Sequence, residues 1–216
     1  RPIQWITSVY NSRSVQCKAF GKSGDSYTRG HRTHAPNKIK VKNAKDYAQL
    51  LETHGYVIAS SSKRRSRIID LVEETARSVE LSPVVDEELL REVCGLVEWP
   101  SAIIGSFEKS FLELPEEVLT ASMQNHQKYF PTRDKNNRLS NHFIAVTNIE
   151  SRDPKMVQGG NEKVIKPRLA DASFFFQKDK QFSLESRFPQ LDGMLFEKNL
   201  GSLKAKTERV RAIAGV

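Results

Sequence analysis

The chain has 216 residues, of which 38% are apolar and 28% charged, and its formal net charge is +8. This composition is typical of a folded globular protein rather than a disordered one. No apolar run approaches the roughly 20 residues of a membrane span, and no secretory leader is recognisable, so we expect a cytoplasmic protein without membrane contact. Because the first residue is Arg1 rather than Met, we expect a piece of a longer protein.

Positive charge is concentrated in the first third of the chain. Residues 1–67 contain 14 Lys and Arg against 3 Asp and Glu, a net charge of +11, whereas residues 68–216 contain 20 against 23, a net charge of −3. A local excess of cations attracts polyanions, most commonly nucleic-acid phosphate. The alternative is a hydrated, solubilising face, and charge alone does not choose between the two.

The first predicted elements are short strands. Apolar runs rich in β-branched and aromatic residues occupy 3–9 and 14–20 and are bounded by turn residues. Residues 21–38 are rich in Gly, Ser, Thr and Pro and therefore predict a surface loop, a common place for functional residues. The cationic and histidine side chains of this loop are Arg29, His31, Arg32 and His34.

A strand and a helix are predicted after the loop. Residues 38–42 alternate lysine with apolar side chains, which is the period of a half-buried strand with a basic outer face. Asn43 is a suitable N-cap for an amphipathic helix over 44–54, and Gly55 would end it in the left-handed conformation. A short strand is predicted at 57–59.

The next predicted helix begins with cations. Ser61 or Ser62 would cap it, and its apolar residues between Ile68 and Val79 share one face. Its first turns carry Lys63, Arg64, Arg65 and Arg67. A cation at a helix N-terminus loses about 0.3–1 kcal/mol unless an anion compensates, which favours a phosphate contact. The alternative is projection into solvent, where screening makes the cost small.

The remainder of the chain alternates predicted helices and strands. Helices are predicted at 86–96, 115–126 and 161–179, and from Leu195 onward. A short strand is predicted at 102–104, and a hairpin at 129–130 and 143–146.

No self-contained catalytic site is recognisable. The five histidines are scattered, and phosphate-loop, nucleophile-elbow and zinc-protease patterns do not occur. Cys17 and Cys94 match no metal spacing, so we expect reduced, buried thiols. The prediction is therefore no catalytic residue, no metal and no cofactor bound by these residues.

One polar cluster stands at a predicted helix-to-strand junction. His126, Gln127 and Lys128 precede Tyr129 and Phe130. A cation beside an aromatic ring is a pattern that single-stranded nucleic acid favours. The alternative, which residue chemistry favours, is a buried His126 bonded to a backbone carbonyl, with both rings in the core.

Eight motifs in series carry a family resemblance. They are R-P-I-x-W (1–5), T-x-G-H-R (28–32), V-E-W-P (97–100), F-L-E-L-P-E-E-V-L (111–119), M-x-x-H-Q-K-Y-F (123–130), H-F-I-A-V-T-N (142–148), G-N-E-K-V-I-x-x-R-L-x-D-A-x-F-F-F (160–176) and F-E-K-N-L-G-S-L (196–203). Together they resemble the β subunit of bacterial heterotetrameric glycyl-tRNA synthetase. Long motifs in a fixed order are more specific than any short pattern.

The resemblance implies a fold and a domain division. It implies an α+β fold in which helices pack on a mixed sheet, similar over 1–148 to the B3/B4 domain of the phenylalanyl enzyme's β subunit. Residues 149–216 would be a helical segment leading to an HD-type domain.

The resemblance also implies a role. In that family the α subunit binds glycine and ATP, and the β subunit is needed for tRNA recognition. We therefore expect tRNA(Gly) and the α subunit as partners, with no DNA or membrane partner. ATP and Mg would be used by the complete enzyme, and these residues alone would be non-catalytic.

Charge and sequence context select candidate tRNA-facing residues. They are Arg29, His31, Arg32, Lys63, Arg64, Arg65, His126, Gln127 and Lys128. Packing is the better explanation for several aromatic motif residues, which we expect in the core: Trp5, Trp99, Phe111, Phe174 and Phe175.

Two other functions stay open at this point. An editing-like hydrolase would need a pocket of convergent polar groups around His31 or His126. A subunit-assembly module without RNA contact would show an exposed apolar patch larger than a few hundred Å².

Overall fold

The computed structural model describes residues 3–215 and confirms an α+β fold with several small sheets. The strands are β1 (Ile6–Thr7), β2 (Val9–Tyr10), β3 (Arg13–Ser14), β4 (Lys18–Ala19), β5 (Lys22–Asp25), β6 (Tyr27–Arg29), β7 (Lys38–Lys40), β8 (Ser82–Pro83), β9 (Ser101–Ser106), β10 (Tyr129–Arg133), β11 (Leu139–Thr147), β12 (Leu195–Glu197) and β13 (Gly201–Ser202). The α-helices are α1 (Tyr47–Gly55), α2 (Ser61–Arg77), α3 (Glu87–Leu96), α4 (Glu116–Ala121), α5 (Pro154–Lys180), α6 (Leu184–Arg187) and α7 (Leu203–Ala214).

The first seven strands form three small sheets. One is mixed, because β1 pairs parallel with β5 while β4 pairs antiparallel with it. The other two are the antiparallel pairs β2–β3 and β6–β7. The basic strand predicted at 38–42 is confirmed over β7 and ends two residues early, with Ile39 half-buried, Val41 buried beyond its end and the three lysines exposed.

The loop predicted over 21–38 is wrong in its first part, where β5 and β6 lie. Gly24, which the sequence indicated as a turn residue, is in the middle of β5. A Cβ at this position would lie 2.5 Å from Cys17 Sγ and 2.9 Å from Ser8 Cβ. Gly24 therefore allows close packing of neighbouring segments. Only the part after β6 is a loop.

The first helix ends differently from the prediction. The Asn43 side chain accepts a hydrogen bond from the Lys45 N–H at 3.0 Å, and a 3₁₀ turn (Ala44–Asp46) leads into α1. Tyr56, at φ 52°, is the left-handed residue that ends α1, whereas Gly55 belongs to the helix. A Cβ on Gly55 would lie 3.4 Å from Gly30 Cα, so glycine here serves a close approach of two backbones.

The largest sheet is antiparallel, with strand order β8-β10-β11-β9. It contains the predicted β10–β11 hairpin, whose turn is held by Asp134: its carboxylate accepts the N–H groups of Asn136 at 2.8 Å and Arg138 at 2.9 Å. The strand predicted at 102–104 is confirmed and extends over β9. This sheet organises the core of the protein.

Helices α2 and α3 cover one face of the sheet. Their apolar stripes pack on Phe130 and Ile144, both fully buried. The buried helix residues are Ile68, Val72, Ala76, Leu89, Leu90, Val93 and Cys94. The helix at 86–96 is confirmed, since Asp86 caps α3 by accepting the Leu89 N–H at 2.9 Å. Burial of each large apolar side chain here stabilises the fold by about 1.5–3 kcal/mol.

The other face of the sheet presents Tyr129 and Phe143, whose rings stack 4.4 Å apart. The Tyr129 hydroxyl donates to Asn161 Oδ1 of α5 at 2.7 Å, which ties the first half of that helix to the sheet. Opposite Phe143, a Cβ on Gly105 would lie 2.8 Å from the ring carbon Cε2, so glycine makes room for the ring.

Several boundaries differ from the prediction. Ser60, not Ser61 or Ser62, caps α2. Residues 57–59 are not a strand. Helix α5 begins seven residues before the predicted 161 and continues through Gly159-Gly160. Residues 195–202 form the β12–β13 hairpin, so the helix predicted from Leu195 begins only with α7.

The helix predicted at 115–126 consists of two parts. Pro115 is the N-cap of α4 rather than a first-turn residue, and a π-helical turn (Ser122–Gln127) follows α4. Cys94 is buried as predicted, whereas the prediction for Cys17 is wrong because its side chain is exposed.

Contacts divide the chain into two compact units, one running through Leu169 and the other beginning at Ala170. All of the fully buried apolar residues in 3–215 belong to the first unit. The domain boundary predicted after residue 148 stays a prediction. None of the helices within residues 3–215 is both long and apolar enough to cross a membrane.

Candidate nucleic-acid interface

Three of the four cations in the first turns of α2 are bound within the protein, whereas Arg67 is exposed. The Arg64 guanidinium donates to two backbone carbonyls, from Nε to Cys94 O at 2.9 Å and from the terminal nitrogen to Ile58 O. Lys63 pairs with Glu52 at 2.7 Å, and Arg65 pairs with Glu87 at 2.7 Å. Arg64 therefore ties α2 to two neighbouring segments. Glutamates supply the anions for Lys63 and Arg65.

The junction after the π-helical turn places its three predicted residues differently. His126 is exposed, which contradicts its expected burial, and Gln127 is half-buried. Lys128, at φ 60°, ends the turn and pairs with Glu92 at 2.7 Å. Tyr129 and Phe130 are 5% and 0% exposed, so the prediction that these rings lie in the core is confirmed and they are inaccessible to RNA bases.

His31 is a structural residue of its loop. Its side chain is 4% exposed, and its Nδ1 accepts hydrogen bonds from the N–H groups of Thr33 and His34, each at 3.2 Å. Its own backbone N–H donates to Gly55 O at 2.6 Å. The ring therefore holds the loop in shape and is closed to RNA.

His34 extends this packing toward other segments. Its ring stacks on Tyr56 at a centroid distance of 5.1 Å, and Tyr56 meets Trp99 edge to face at 5.2 Å. The His34 Nε2 accepts the Glu150 N–H at 3.0 Å. The predicted core role of Trp99 is met in part, since it is half-buried, as is Phe111.

The two arginines of the same loop region are exposed. Arg29 ends β6 and donates to Pro36 O at 3.1 Å, which uses one of its five N–H groups. Arg32 makes no hydrogen bond or ion pair to the residues that the structure describes. Both retain donors for an external anion.

More exposed cations lie in the first part of the chain than the predicted tRNA-facing residues include. We call residues 13–45 the basic segment. Its cations are Arg13, Lys18, Lys22, Arg29, Arg32, Lys38, Lys40, Lys42 and Lys45. All are exposed, and within 3–215 none has a carboxylate partner within ion-pair distance. Their charge is therefore not neutralised internally, in contrast to that of Lys63 and Arg65.

A cleft of about 250 Å³ lies within this region. Three cations, Lys22, Arg29 and Lys38, line it together with one carboxylate, Asp25, and the rings of Trp5 and Tyr27. Lys38 Nζ lies 5.9 Å from the centre of the Tyr27 ring, a cation–π distance. Cations for phosphate and rings for bases are thus combined in one concave surface.

Exposed aromatic side chains accompany the cations. Trp5 is 44% exposed, so its predicted core position is wrong, and Tyr10 and Phe20 are 73% and 80% exposed. The sequence placed Trp5 and Phe20 in predicted strands and predicted a core position for Trp5 alone. The sequence predicted longer strands than the two-residue β1, β2 and β4, which offer little surface to cover a ring.

A separate polar cluster lies at the end of β9. Glu162 Oε1 accepts hydrogen bonds from the N–H and hydroxyl of Ser106, at 2.9 and 3.1 Å, and from Gln158 at 3.0 Å. Burial raises the pKa of Glu162, but these hydrogen bonds and the charge of His142 outweigh it and leave the pKa below 4.5. The cluster holds Glu162 as an anion.

His142 and Tyr129 have shifted pKa values for reasons of burial. Burial lowers the pKa of His142 below 6.5, the charge of Lys109 lowers it further, and Glu162 opposes both. His142 Nδ1 is buried without a hydrogen-bond partner among the described residues. Burial raises the pKa of Tyr129 to about 12. Within residues 3–215, no three His, Cys, Asp or Glu side chains are grouped to hold a metal ion.

Comparison with known proteins places the chain among the subunits of aminoacyl-tRNA synthetases. A family model described as glycyl-tRNA synthetase beta subunit matches residues 1–216. The chain belongs to this family, as its serial motifs predicted.

Relatives that match nearly the whole chain are glycine–tRNA ligase beta subunits. Identity is 45% over 214 residues with that of Colwellia psychrerythraea, 47% over 214 residues with that of Coxiella burnetii and 44% over 215 residues with that of Pseudoalteromonas translucida. The matches cover 99% or 100% of this chain and 31% of each relative. The chain therefore spans about a third of the length of these relatives.

Proposed function

We propose that this chain is the tRNA-binding part of a glycine–tRNA ligase β subunit, which positions tRNA(Gly) for ATP-dependent glycylation by the α subunit in the cytoplasm. The observation that carries the proposal is the basic segment, whose exposed cations have no carboxylate partners among residues 3–215. Family membership supplies the substrate class. ATP and Mg would be used in the complete enzyme, with the chemistry in the α subunit.

Phosphate contacts would supply affinity, and unpaired bases would supply recognition. Each cation that neutralises a phosphate releases a counterion, so affinity from the basic segment falls steeply with salt. Recognition of one tRNA needs base edges or stacked, unpaired bases, for which exposed rings are suited. The contribution to catalysis would be proximity, since a held tRNA brings its terminal hydroxyl to the activated glycine.

Within the predicted contact set, the arrangement favours Arg29 and Arg32. Both are exposed and retain unused donors. His126 and Gln127 stay proposed contacts, and Lys63, Arg65 and Lys128 could bind phosphate only in competition with their glutamate partners. His31 and Arg64 are better explained by the hydrogen bonds that hold their own segments.

The test is a salt titration of tRNA(Gly) binding to the complete α–β enzyme. Lys38→Ala and Lys40→Ala should each weaken binding, and each lost phosphate contact should reduce the slope of log affinity against log salt by about 1. Arg77→Ala is the control, because Arg77 is an exposed cation that lies outside the basic segment and pairs with Glu73. Unchanged slopes in both lysine variants would contradict the proposal.

A second candidate function is subunit assembly, favoured by the second compact unit. Large apolar side chains remain exposed there, and the predicted core positions of Phe174 and Phe175 are wrong, since they are 57% and 63% exposed. Exposed apolar surface of this kind is typical of an interaction site. We propose that the α subunit or another part of the β subunit covers it.

The finer architecture implied by the family resemblance also stays a proposal. A B3/B4-like domain over 1–148 is supported by the antiparallel sheet and its covering helices. A helical segment over 149–216 that leads to an HD-type domain is supported by α5 and α7.

A further inference from the structure

Phe20 occupies an unusual place in the basic segment. It lies in the two-residue turn between β4 and β5, where Ala19 pairs with Lys22, and its side chain is 80% exposed. A ring so exposed at a hairpin tip contributes little to the core. Its presence there calls for a role outside the packing of this chain.

The backbone of this turn is unfavourable for phenylalanine. Phe20 has φ 50° and Gly21 has φ 71°, the two positive values of a type I′ turn. Asn, Asp and Gly are the ordinary residues at the first of these positions, and a bulky residue at positive φ is an outlier. Strained residues of this kind are concentrated at functional sites.

The charges around the turn indicate the chemistry of the partner. Lys18 and Lys22 flank Phe20 on the two strands, and neither has a carboxylate partner among residues 3–215. Lys22 also lines the cleft that contains the rings of Trp5 and Tyr27. An apolar protein surface would leave these cations unpaired, whereas a nucleic-acid strand supplies phosphates for the cations and base faces for the ring.

We propose that Phe20 stacks on an unpaired base of the bound RNA, with Lys18 and Lys22 on the adjoining phosphates. The inference rests on the proposed function and deepens it, because it assigns this part of the surface to a loop, bulge or single-stranded end rather than to duplex. Bases in an A-form duplex are already stacked and offer no free face to an exposed ring.

The turn itself provides a variant that separates the ring from the fold. Phe20→Asn places a favoured residue before Gly21, so thermal stability of the β subunit should be kept or raised. Binding of tRNA(Gly) to the complete α–β enzyme should weaken roughly 5- to 100-fold through loss of the stacked base. The salt slope should stay unchanged because no cation is removed, and Phe20→Trp should retain affinity.

A blunt RNA duplex is the matched control ligand. Its binding should be unaffected by Phe20→Asn and weakened by Lys22→Ala. Equal tRNA affinities for wild type and Phe20→Asn would overturn the inference about the ring. They would not contradict the proposed function, which the salt titration of the Lys38→Ala and Lys40→Ala variants tests separately. Unchanged tRNA binding with weaker α–β association, measured by sedimentation, would also overturn it by showing that the ring contacts protein.

Discussion

Two glycines decide how the loop after β6 meets the end of α1. A Cβ on Gly30 would lie 2.5 Å from Gly55 Cα, and rigid backbone on both sides leaves no flexible group to give way. The sequence indicated Gly55 as a helix stop. The sequence could not show that Gly55 also makes room for Gly30, because contact between residues 25 positions apart depends on the tertiary fold.

Gly30→Ala should therefore destabilise the β subunit by about 1–3 kcal/mol through overpacking. Urea unfolding of the wild-type and variant subunits measures the difference. Gly95→Ala is the matched control, since among the described residues nothing beyond the neighbouring backbone of α3 lies within 4 Å of its added Cβ, and it should be neutral or stabilising. Equal stability of Gly30→Ala and wild type would show that the two backbones separate at little cost.

The half-buried Arg64 is held by backbone groups that lie far from it in sequence or in the preceding segment. Sequence context predicted Arg64 as an RNA contact because charge at a helix start opposes the macrodipole. The backbone carbonyls of Ile58 and Cys94 compensate that charge instead. A carbonyl partner leaves no trace in sequence, because every residue carries the same acceptor.

At the scale of elements, the prediction was best where periodicity is strong. Helices α2 and α3 were found because their apolar stripes repeat over several turns, and the β10–β11 hairpin was found because apolar runs flank a polar turn at 134–137. The β12–β13 hairpin was missed because strands of three and two residues give too short a pattern. Gly159-Gly160 led to a late start for α5, although the helix tolerates both glycines.

The β9–β11 edge contains a pH-sensitive group. The pKa of His142 lies below 6.5 in the folded state, so the folded protein binds this proton less readily than the unfolded chain. The free energy of unfolding therefore has its full contribution from neutral His142 above pH 6.5. This contribution is lost as the pH falls through the lower pKa that His142 has in the folded state. His142→Gln should flatten the decline in stability on the acid side of pH 6.5.

Urea unfolding of the β subunit on both sides of pH 6.5 measures this slope. The wild-type subunit, measured over the same pH range, is the reference for this slope. A wild-type slope in His142→Gln would mean that other groups carry the acid sensitivity.

At the scale of the whole molecule, burial is distributed unevenly. The first unit contains the sheet and its covering helices, whereas none of residues 170–215 is buried. A segment without buried side chains lacks the main favourable term of folding. The sequence could not show the lack of burial in this segment, because Phe174 and Phe175 are apolar residue types that suit a core whether or not the fold covers them.

A peptide of residues 170–216 should therefore show no cooperative thermal transition by circular dichroism, with helix content well below that of α6 and α7 in the structure. A chain of residues 3–169, which contains the buried core, should melt cooperatively. A sharp transition in the short peptide would contradict this and remove the main support for an assembly role there.

The loop between β6 and β7 has a spectroscopic consequence. His31 Nδ1 and His34 Nε2 are both acceptors of backbone N–H groups, so the mobile proton must reside on Nε2 of His31 and on Nδ1 of His34. Two neighbouring imidazoles thus adopt opposite tautomers. In a long-range ¹H–¹⁵N correlation spectrum they should give inverted patterns, and loss of the inversion would report opening of the loop.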